Sequence, residues 1–496
     1  LNKESIDLHR QELSSDAIIV FDGEKAREVV DDTGIFNVPL SRLAEESAGH
    51  RIMANSVAFG VALGLVYYDF SAVDSILRVQ FGSGEIGENN IKAARAGYEY
   101  AQQNYKGNFG HKLYPLGDTR QILLNGNEAI ALGAIAAGCK FMAAYPMTPV
   151  TGIMEYLAAK AKEFGLVVVQ PEDEIAAINM VIGAAYAGVR AMTATSGGGF
   201  CLMVEGLGLA GMTETPVVIV EGQRVGPAIG LPTRTEQSDL EFVLHAAHGE
   251  FPRAVLAPAT IEDAFWLTVK AFNLSEKYQL PVIILTDQYL ASSYNTVEKF
   301  DLSRVTIDRG LLFSEVSLGE YKRHLITDSG ISPRAFPLQG RALVVTDSDE
   351  HDESGHLIED ALTRVRMMQK RLRKLDGLRK EIATPQLYGD RKARTTLIGW
   401  GSTCGAIREA VDILRQEKVS VNSFQLSELW PFPAEFVADV MDAAKKVYVI
   451  ENNATGQLAH LIRAETGRKA GSVLKYDGRP FTPEYIVREL KKEKLP

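Results

Sequence analysis

The sequence predicts an α/β protein built on a parallel sheet with helices on both faces, followed by a second, smaller α/β unit. Two observations carry this. From residue 121 onward, short apolar strand-like runs alternate with helix-like runs, the rhythm of a parallel sheet covered on both sides. Several strand-to-helix junctions also carry loops rich in Pro, Gly or charge, where such sheets hold ligands.

Taken in order, residues 1 to about 102 carry helix patterns and one clear strand, "DAIIVFD" (16–22). The longest apolar run, "VAFGVALGLVYY" (57–68), stops at Asp69; it is too short to span a bilayer and reads as a buried helix. "GENNIKAARAGYEYAQQ" reads as an amphipathic helix closing this block. Residues 103–120 are rich in Gly, Asn and Tyr and read as a linker. Then come helix "NEAIALGAIAAG", strand "KFMAAYP", helix "EYLAAKAKEFG", strand "LVVVQ", helix "EIAAINMVIGAAYAG", strand "RAMTATS", helix "FCLMVEGLGLAGMT", strand "PVVIVEG", a helix at 260–276 and strand "PVIILTD". Residues 296–356 look irregular. A charged helix over 357–381 shows leucines 372, 375 and 378 on one side and reads as a solvated linker helix. The second α/β unit runs from about 394 to 496.

At 496 residues the chain has room for three or four domains. A net charge of −10 argues against nucleic acid as the main partner. Cys139, Cys201 and Cys404 lie far apart, and no CxxC occurs, so this chain alone builds neither an iron–sulfur site nor a zinc ribbon. A sparse, odd set suits the reducing cytoplasm. No signal peptide is visible, and the first residue is Leu1 rather than Met, so further sequence upstream is expected.

Four loops are candidate chemistry. In "AAYPMTPVTG" (143–152) two prolines bracket Thr148 beside Tyr145, stiffening a turn around one hydroxyl. In "QPEDEIAAINMVIGAA" (170–185) Glu172, Asp173 and Glu174 open a helix. They fit ordinary capping, or Glu174, walled by apolar helix, can share a proton with a bound base. "TSGGGF" (195–200) is a tight turn or a cradle for a ligand; it is neither GxGxxG nor a P-loop. "EGQRVGPAIGLPTRTEQSDL" (221–240) carries Arg224, Arg234, Thr233 and Thr235, either surface groups or a grip on a carboxylate. "DSDEHDESGH" (347–356) invites a metal reading, but Asp352 stands where an EF-hand needs glycine, so a solvated polar loop is expected. If the four loops share one sheet edge, they suit an anionic carbonyl substrate beside a heterocyclic cofactor.

On "NGNEAIALGAIAAG" (125–138), "YPMTP" (145–149), "EDEIAA" (172–177), "TATSGGGFCLM" (193–203), "GLPTRTEQSDL" (230–240), "DEHDESGH" and "ENNATGQLAHLIR" (451–463), the chain resembles the α subunit of the 2-oxoacid:ferredoxin oxidoreductases, of the type fused behind a γ domain. "ENNIKAARAGYEYA" (88–101) resembles the end of that γ domain. The resemblance implies a thiamine diphosphate-binding fold over 121–356, a helical linker over 357–393, a transketolase C-terminal-like domain over 394–496, and the C-terminal part of a γ-type domain over 1–102. The family's GxGGQG-type opening of the γ domain is not found before residue 20, and Met147 replaces the usual Ile of YPITP.

The resemblance also implies roles. Glu174 is expected at N1′ of the thiamine aminopyrimidine, where a carboxylate favours the tautomer that deprotonates the thiazolium C2. Thr148 and Arg234, with Tyr145 and Thr233, are expected on the substrate, and Pro146, Met147, Ser196, Gly197 and Gly198 around the cofactor. No metal ligands are assigned to this chain. It lacks the GDG…Asn-Asn diphosphate motif, so a β subunit is expected to supply that site, Mg2+ and a [4Fe–4S] cluster, in an (αβ)2 assembly with ferredoxin as acceptor and coenzyme A as co-substrate. The expected substrate is 2-oxoglutarate, with Arg224, His245 or His248 offering a second cationic contact. Pyruvate or a broad 2-oxoacid range, a transketolase-like or dehydrogenase-like thiamine enzyme, and a non-catalytic scaffold are the alternatives. The direction of catalysis is open.

Overall fold

The computed structural model describes residues 3–26, 34–107, 109–114, 117, 121–313, 321–340 and 342–493. The chain forms two compact units, Leu1–Thr119 and Arg120–Pro496.

The first unit pairs two short parallel strands, β1 (Ile19–Phe21) and β2 (Ile35–Asn37). Helices α1 (Lys3–His9) and α2 (Gly23–Ala26) flank β1. After β2 come α3 (Leu40–Ala48), α4 (Ala54–Leu65), α5 (Ser71–Phe81) and α6 (Glu85–Asn104). The apolar run predicted as a buried helix is α4, and it crosses α6 at backbone contact. A Cβ on Gly60 would fall 1.8 Å from the Ala94 carbonyl oxygen, and one on Gly97 2.1 Å from that of Val57. Only glycine permits that approach. The predicted linker over 103–120 lies partly outside the described residues.

The second unit opens with β3 (Ile122–Leu124) and α7 (Gly126–Ala136). Asn125 and Glu128 form a reciprocal capping box at the start of α7. The predicted alternation then appears as β4 (Phe141–Ala143), α8 (Thr151–Phe164), β5 (Val167–Val169), α9 (Glu174–Tyr186), β6 (Ala191–Thr195), α10 (Gly197–Met212) and β7 (Val217–Gln223). It continues through α11 (Leu240–His245), β8 (Ala254–Leu256), α12 (Ile261–Tyr278), β9 (Pro281–Asp287), α13 (Gln288–Ser292) and β10 (Asn295–Val297). All seven residues of β7 and of β9 are buried, as strands covered on both faces require. The chain ends with α14 (Ala361–Leu378), β11 (Leu387–Gly389), β12 (Thr395–Trp400), α15 (Cys404–Gln416), β13 (Val421–Leu426), β14 (Glu428–Trp430), α16 (Ala434–Ala443), β15 (Lys446–Glu451), α17 (Gln457–Thr466), β16 (Gly471–Leu474) and α18 (Pro483–Lys492).

The main sheet has the order β14-β8-β9-β7-β6-β4-β5. Six strands are parallel. The seventh, β14, comes from the C-terminal α/β segment and pairs antiparallel with β8. That segment builds its own five-stranded sheet, β11-β13-β12-β15-β16, antiparallel only at β11. One apolar cluster runs through both sheets, joining Ile283 and Leu285 to Ile398, Trp400 and Leu426. β3 and β10 form a small antiparallel pair apart from the main sheet.

Two expectations of solvated segments are corrected. In α14, Lys370, Arg371 and Lys374 are buried, not solvated. Lys370 and Lys374 ion-pair with Glu214, itself fully buried in the turn between α10 and β7. The acidic loop is not a solvated loop either. His351 is buried against the His324 ring, and Glu350 takes a two-pronged pair from Arg371 at 2.9 and 2.7 Å. A charge run reads as solvated only while its partners are out of sight, and Glu214 lies 156 residues from Lys370 in sequence. Glu214 also accepts from His324 Nδ1 at 2.9 Å. Burial alone would raise its pKa, but the two lysines and then His324 outweigh burial and hold the carboxyl well below its usual range.

Candidate active site at the carboxyl edge of the main sheet

After β4 the chain moves outward to β5, then returns to place β6 on the other side of β4. Parallel sheets open a crevice at such a reversal, at the carboxyl ends of the strands. The loops there are 144–150 after β4, 170–173 after β5 and Ser196 after β6. The loop after β7 begins at Arg224.

The first loop is pinned from both sides. Thr148–Pro149 is a cis peptide. Asn127 Nδ2 donates to the Pro149 carbonyl at 2.9 Å, and Arg224 Nη1 donates to the Thr148 carbonyl at 2.8 Å. Gly222 makes room for the loop, since a Cβ there would lie 2.4 Å from Val150 Cγ1. Tyr145 and Thr148 are exposed at the tip, Pro146 and Met147 are half-buried, and Thr195 Oγ1 lies 3.8 Å from Met147 Sδ.

The three acids of the second loop divide their work. Glu172 is exposed. Asp173 caps α9, accepting from the Ala176 N–H at 2.8 Å. Glu174, the first residue of α9, is 4% exposed, and its Oε1 has no hydrogen-bond partner among the described residues. It lies against the third glycine of "SGGGF": a Cβ on Gly199 would fall 2.1 Å from Thr195 Oγ1 and 2.6 Å from Glu174 Oε1. Ser196 Oγ, close by in sequence, is also buried without a partner. Gly197 is half-buried and Gly198 exposed. A buried carboxyl lacking a partner is costly. An orphaned acceptor beside a surface that admits no Cβ fits a flat heterocycle presenting a protonated ring nitrogen, as the aminopyrimidine of thiamine does.

The structure ties Arg224, not Arg234, to the Thr148 loop. Arg224 is 9% exposed. Thr233 and Arg234 are exposed and lie beside the C-terminal segment, where the Thr235 N–H donates to the Gly478 carbonyl at 3.2 Å. His245 and His248 line two surface grooves that include none of Thr148, Glu174 and Gly199.

Sequence reasoning gave Asn127, Thr195 and Gly199 no role of their own, although the last two lie in the "TSGGGF" stretch (195–200) singled out as a turn or cradle. Gly199 left a further signal, because residues 199, 203, 206 and 210 repeat at helical spacing and form the inward stripe of α10.

Known proteins resemble this chain over most of its length. The family described as "Pyruvate flavodoxin/ferredoxin oxidoreductase, thiamine diP-bdg" matches residues 132–370, the "Pyruvate:ferredoxin oxidoreductase core domain II" matches 393–486, and "Pyruvate ferredoxin/flavodoxin oxidoreductase" matches 1–100. The chain is 39% identical over 485 residues to 2-oxoacid:ferredoxin oxidoreductase 1, subunit alpha, of Sulfurisphaera tokodaii, covering 94% of this chain and 74% of that one. It is 34% identical to 2-oxoglutarate synthase subunit KorA of Methanothermobacter thermautotrophicus, covering 75% of this chain and 99% of that one. It superposes with a TM-score of 0.92 and 36% identity on 2-oxoglutarate:ferredoxin oxidoreductase from Magnetococcus marinus, solved with 2-oxoglutarate, coenzyme A and succinyl-CoA bound, covering 99% of this chain and 87% of that one. Matched over 94% of its length by the 39%-identical relative and over 99% by the solved structure, this chain belongs to the family of α subunits of the thiamine diphosphate-dependent 2-oxoacid:ferredoxin oxidoreductases.

Proposed function

We propose that this chain binds the aminopyrimidine half of thiamine diphosphate and acts on 2-oxoglutarate, forming succinyl-CoA or running the reverse carboxylation. The observation that carries the proposal is Glu174 Oε1, buried and without a partner against Gly199. Bound thiamine diphosphate supplies the electron sink that a 2-oxoacid needs to lose its carboxylate. Glu174 would accept a hydrogen bond from the protonated ring nitrogen of the pyrimidine. Pro146, Met147, Ser196, Gly197 and Gly198 wall the ring, and the apolar face of α9 keeps water from the carboxyl. Thr148 offers its hydroxyl and Arg224 its guanidinium to the substrate carboxylate. Arg234, with Thr233 and Tyr145, stands at the mouth, where a longer substrate presents its second carboxylate.

The relatives are named as α subunits, which supports a partner chain. We assign to a β subunit the diphosphate site, Mg2+ and a [4Fe–4S] cluster, with ferredoxin as acceptor, coenzyme A as co-substrate and (αβ)2 as the assembly. Three unpaired cysteines suit the cytoplasm. Among the described residues no helix is long and apolar enough to cross a membrane.

A broader 2-oxoacid range is the second reading, favoured by the general name of the 39%-identical relatives. Kinetics of the αβ complex with pyruvate, 2-oxobutyrate and 2-oxoglutarate decide between them: a kcat/KM at least tenfold higher for 2-oxoglutarate supports the first. Glu174→Gln is expected to lower oxoacid-dependent dye reduction by about 10²–10⁴-fold, the range of a lost general acid–base group. Turnover near the wild-type rate would remove the glutamate from the mechanism.

A further inference from the structure

Two carboxyl groups behind the glycine loop, Glu221 fully buried and Asp239 half-buried, have no part in the reaction described above. Glu221 lies inside β7, in register with Thr195 on β6 and Leu285 on β9. It is fully buried, and as an ionised carboxylate neither of its oxygens meets a donor among the described residues. Asp239 stands at the N-cap of α11, where aspartate ordinarily accepts from the helix N–H groups, yet its side chain makes no capping bond. It turns towards α10 instead: a Cβ on Gly197 would fall 2.7 Å from Asp239 Oδ2. The Asp239 backbone N–H donates to Gln223 Oε1 at 3.1 Å, fixing this residue to the end of β7.

Glu221 and Gln223 project from the same face of β7, and Gln223 holds Asp239, so the two carboxyl groups are brought to face each other. Two ionised carboxylates facing each other, one of them fully buried, repel, and both Glu221 oxygens would be stranded. A single proton removes both penalties, because a protonated carboxyl donates to its neighbour. The other titratable groups facing the pair are Arg224 just past β7, Cys201 in α10 and Glu236 in the loop before α11. None of them replaces that proton: Arg224 directs Nη1 to Thr148, and the other two bring no positive charge. Burial, and then the neighbouring acid, pushes Glu221 well above the usual carboxylate range, while burial pushes Asp239 up to about 6.

We infer that Glu221 and Asp239 share one proton and act as a positioning pair, holding Gly197 and the first turn of α10 so that Gly199 meets the Glu174 carboxyl. The inference rests on the reading of Glu174 as the cofactor contact. With the last proton gone, repulsion drives Asp239 away from Glu221, and the carboxyl packed against Gly197 shifts.

The test uses the αβ complex. At pH 7.5 in D2O its infrared spectrum should contain a protonated-carboxyl C=O band that Asp239→Asn and Glu221→Gln each abolish, since either amide donates in place of the shared proton. The Kd for thiamine diphosphate should rise with pH in the wild type and lie flatter in Asp239→Asn. Asp239→Ala, which removes the contact, should weaken binding at least about tenfold, as displaced catalytic geometry does. Amide variants that each leave the wild-type band at full intensity overturn the inference. So does an Asp239→Ala complex that binds thiamine diphosphate as tightly as wild type. If Asp239→Ala fails to assemble, the near-isosteric amide variants still decide. Glu174→Gln separates the two readings: wild-type turnover in that variant defeats the cofactor assignment but leaves the infrared band to stand or fall alone.

Discussion

Adjacent glycines in one loop make the sharpest test of the site. Gly198 and Gly199 both lie in the first turn of α10, where alanine is better than glycine by about 0.5–1 kcal/mol on backbone grounds. At Gly198 a Cβ finds open space, its nearest neighbour being the Ala228 carbonyl oxygen 4.0 Å away. At Gly199 it would fall 2.1 Å from Thr195 Oγ1, 2.6 Å from Glu174 Oε1 and 2.8 Å from Glu174 Cγ. An ordinary contact needs about 3.5–4.0 Å, so the neighbours must retreat by about 1 Å or more. Thr195 is β-branched in a fully buried strand and has little freedom, so the glutamate moves. Overpacking of this kind costs about 1–3 kcal/mol of stability, against which the helix gain is small. The larger effect is on chemistry, because a carboxyl displaced by about 1 Å loses about 10²-fold in rate. Gly198→Ala is therefore expected to keep the folding stability of the wild type or gain slightly. Gly199→Ala should lose about two orders of magnitude in kcat and bind thiamine diphosphate more weakly. Urea unfolding, calorimetric titration with the cofactor and viologen-dye reduction by the αβ complex report the three quantities. A Gly199→Ala enzyme with wild-type turnover would refute the reasoning.

The remaining predictions address other parts of the second unit. Arg224→Met leaves the Thr148 carbonyl without its donor and removes the only buried arginine tied to that loop among the described residues. The loss of charge-assisted bonds of about 1.5–3 kcal/mol should raise KM for the 2-oxoacid about 10–150-fold, and Arg224→Lys should recover only part of it; an unchanged KM argues for Arg234 instead. Glu214→Gln strands Lys370 and Lys374 and should destabilise the fold by about 3–5 kcal/mol in denaturant titrations, whereas a loss below 1 kcal/mol would mean the lysines escape to water. Burial, only partly offset by Glu214, holds His324 well below its ordinary pKa of 6.5. The unfolded chain therefore takes up a proton near pH 6.5 that the folded chain refuses, so this residue's contribution is intact above about pH 6.5 and declines as pH falls below it. Replacing His324 by Gln should flatten the fall in melting temperature between pH 7.5 and 5.5; the same slope in both proteins would exclude His324 as its source.

Much of this protein was legible from one sequence because the signals are local. Alternating apolar and helical runs mark the order of elements from β4 to β9, and the stiff, acidic and glycine-rich loops fall where strands hand over to helices. Pairing order is not local. That β4 sits between β5 and β6, bringing Thr148, Glu174 and Gly199 to one crevice, follows from hydrogen bonds between strands about 25–50 residues apart, which no window of sequence contains. The same holds for β14, whose three residues fill the open edge of β8 from about 170 residues away. Charge was misread for the corresponding reason: Lys370, Lys374 and His351 look solvated in the chain because burial of a charge depends on partners such as Glu214, which only folding brings near. Side-chain chemistry is written residue by residue, but whether a carboxyl such as Glu174 or Glu221 meets water, a lysine or nothing at all is decided by packing, since desolvation and contact are properties of the assembled interior.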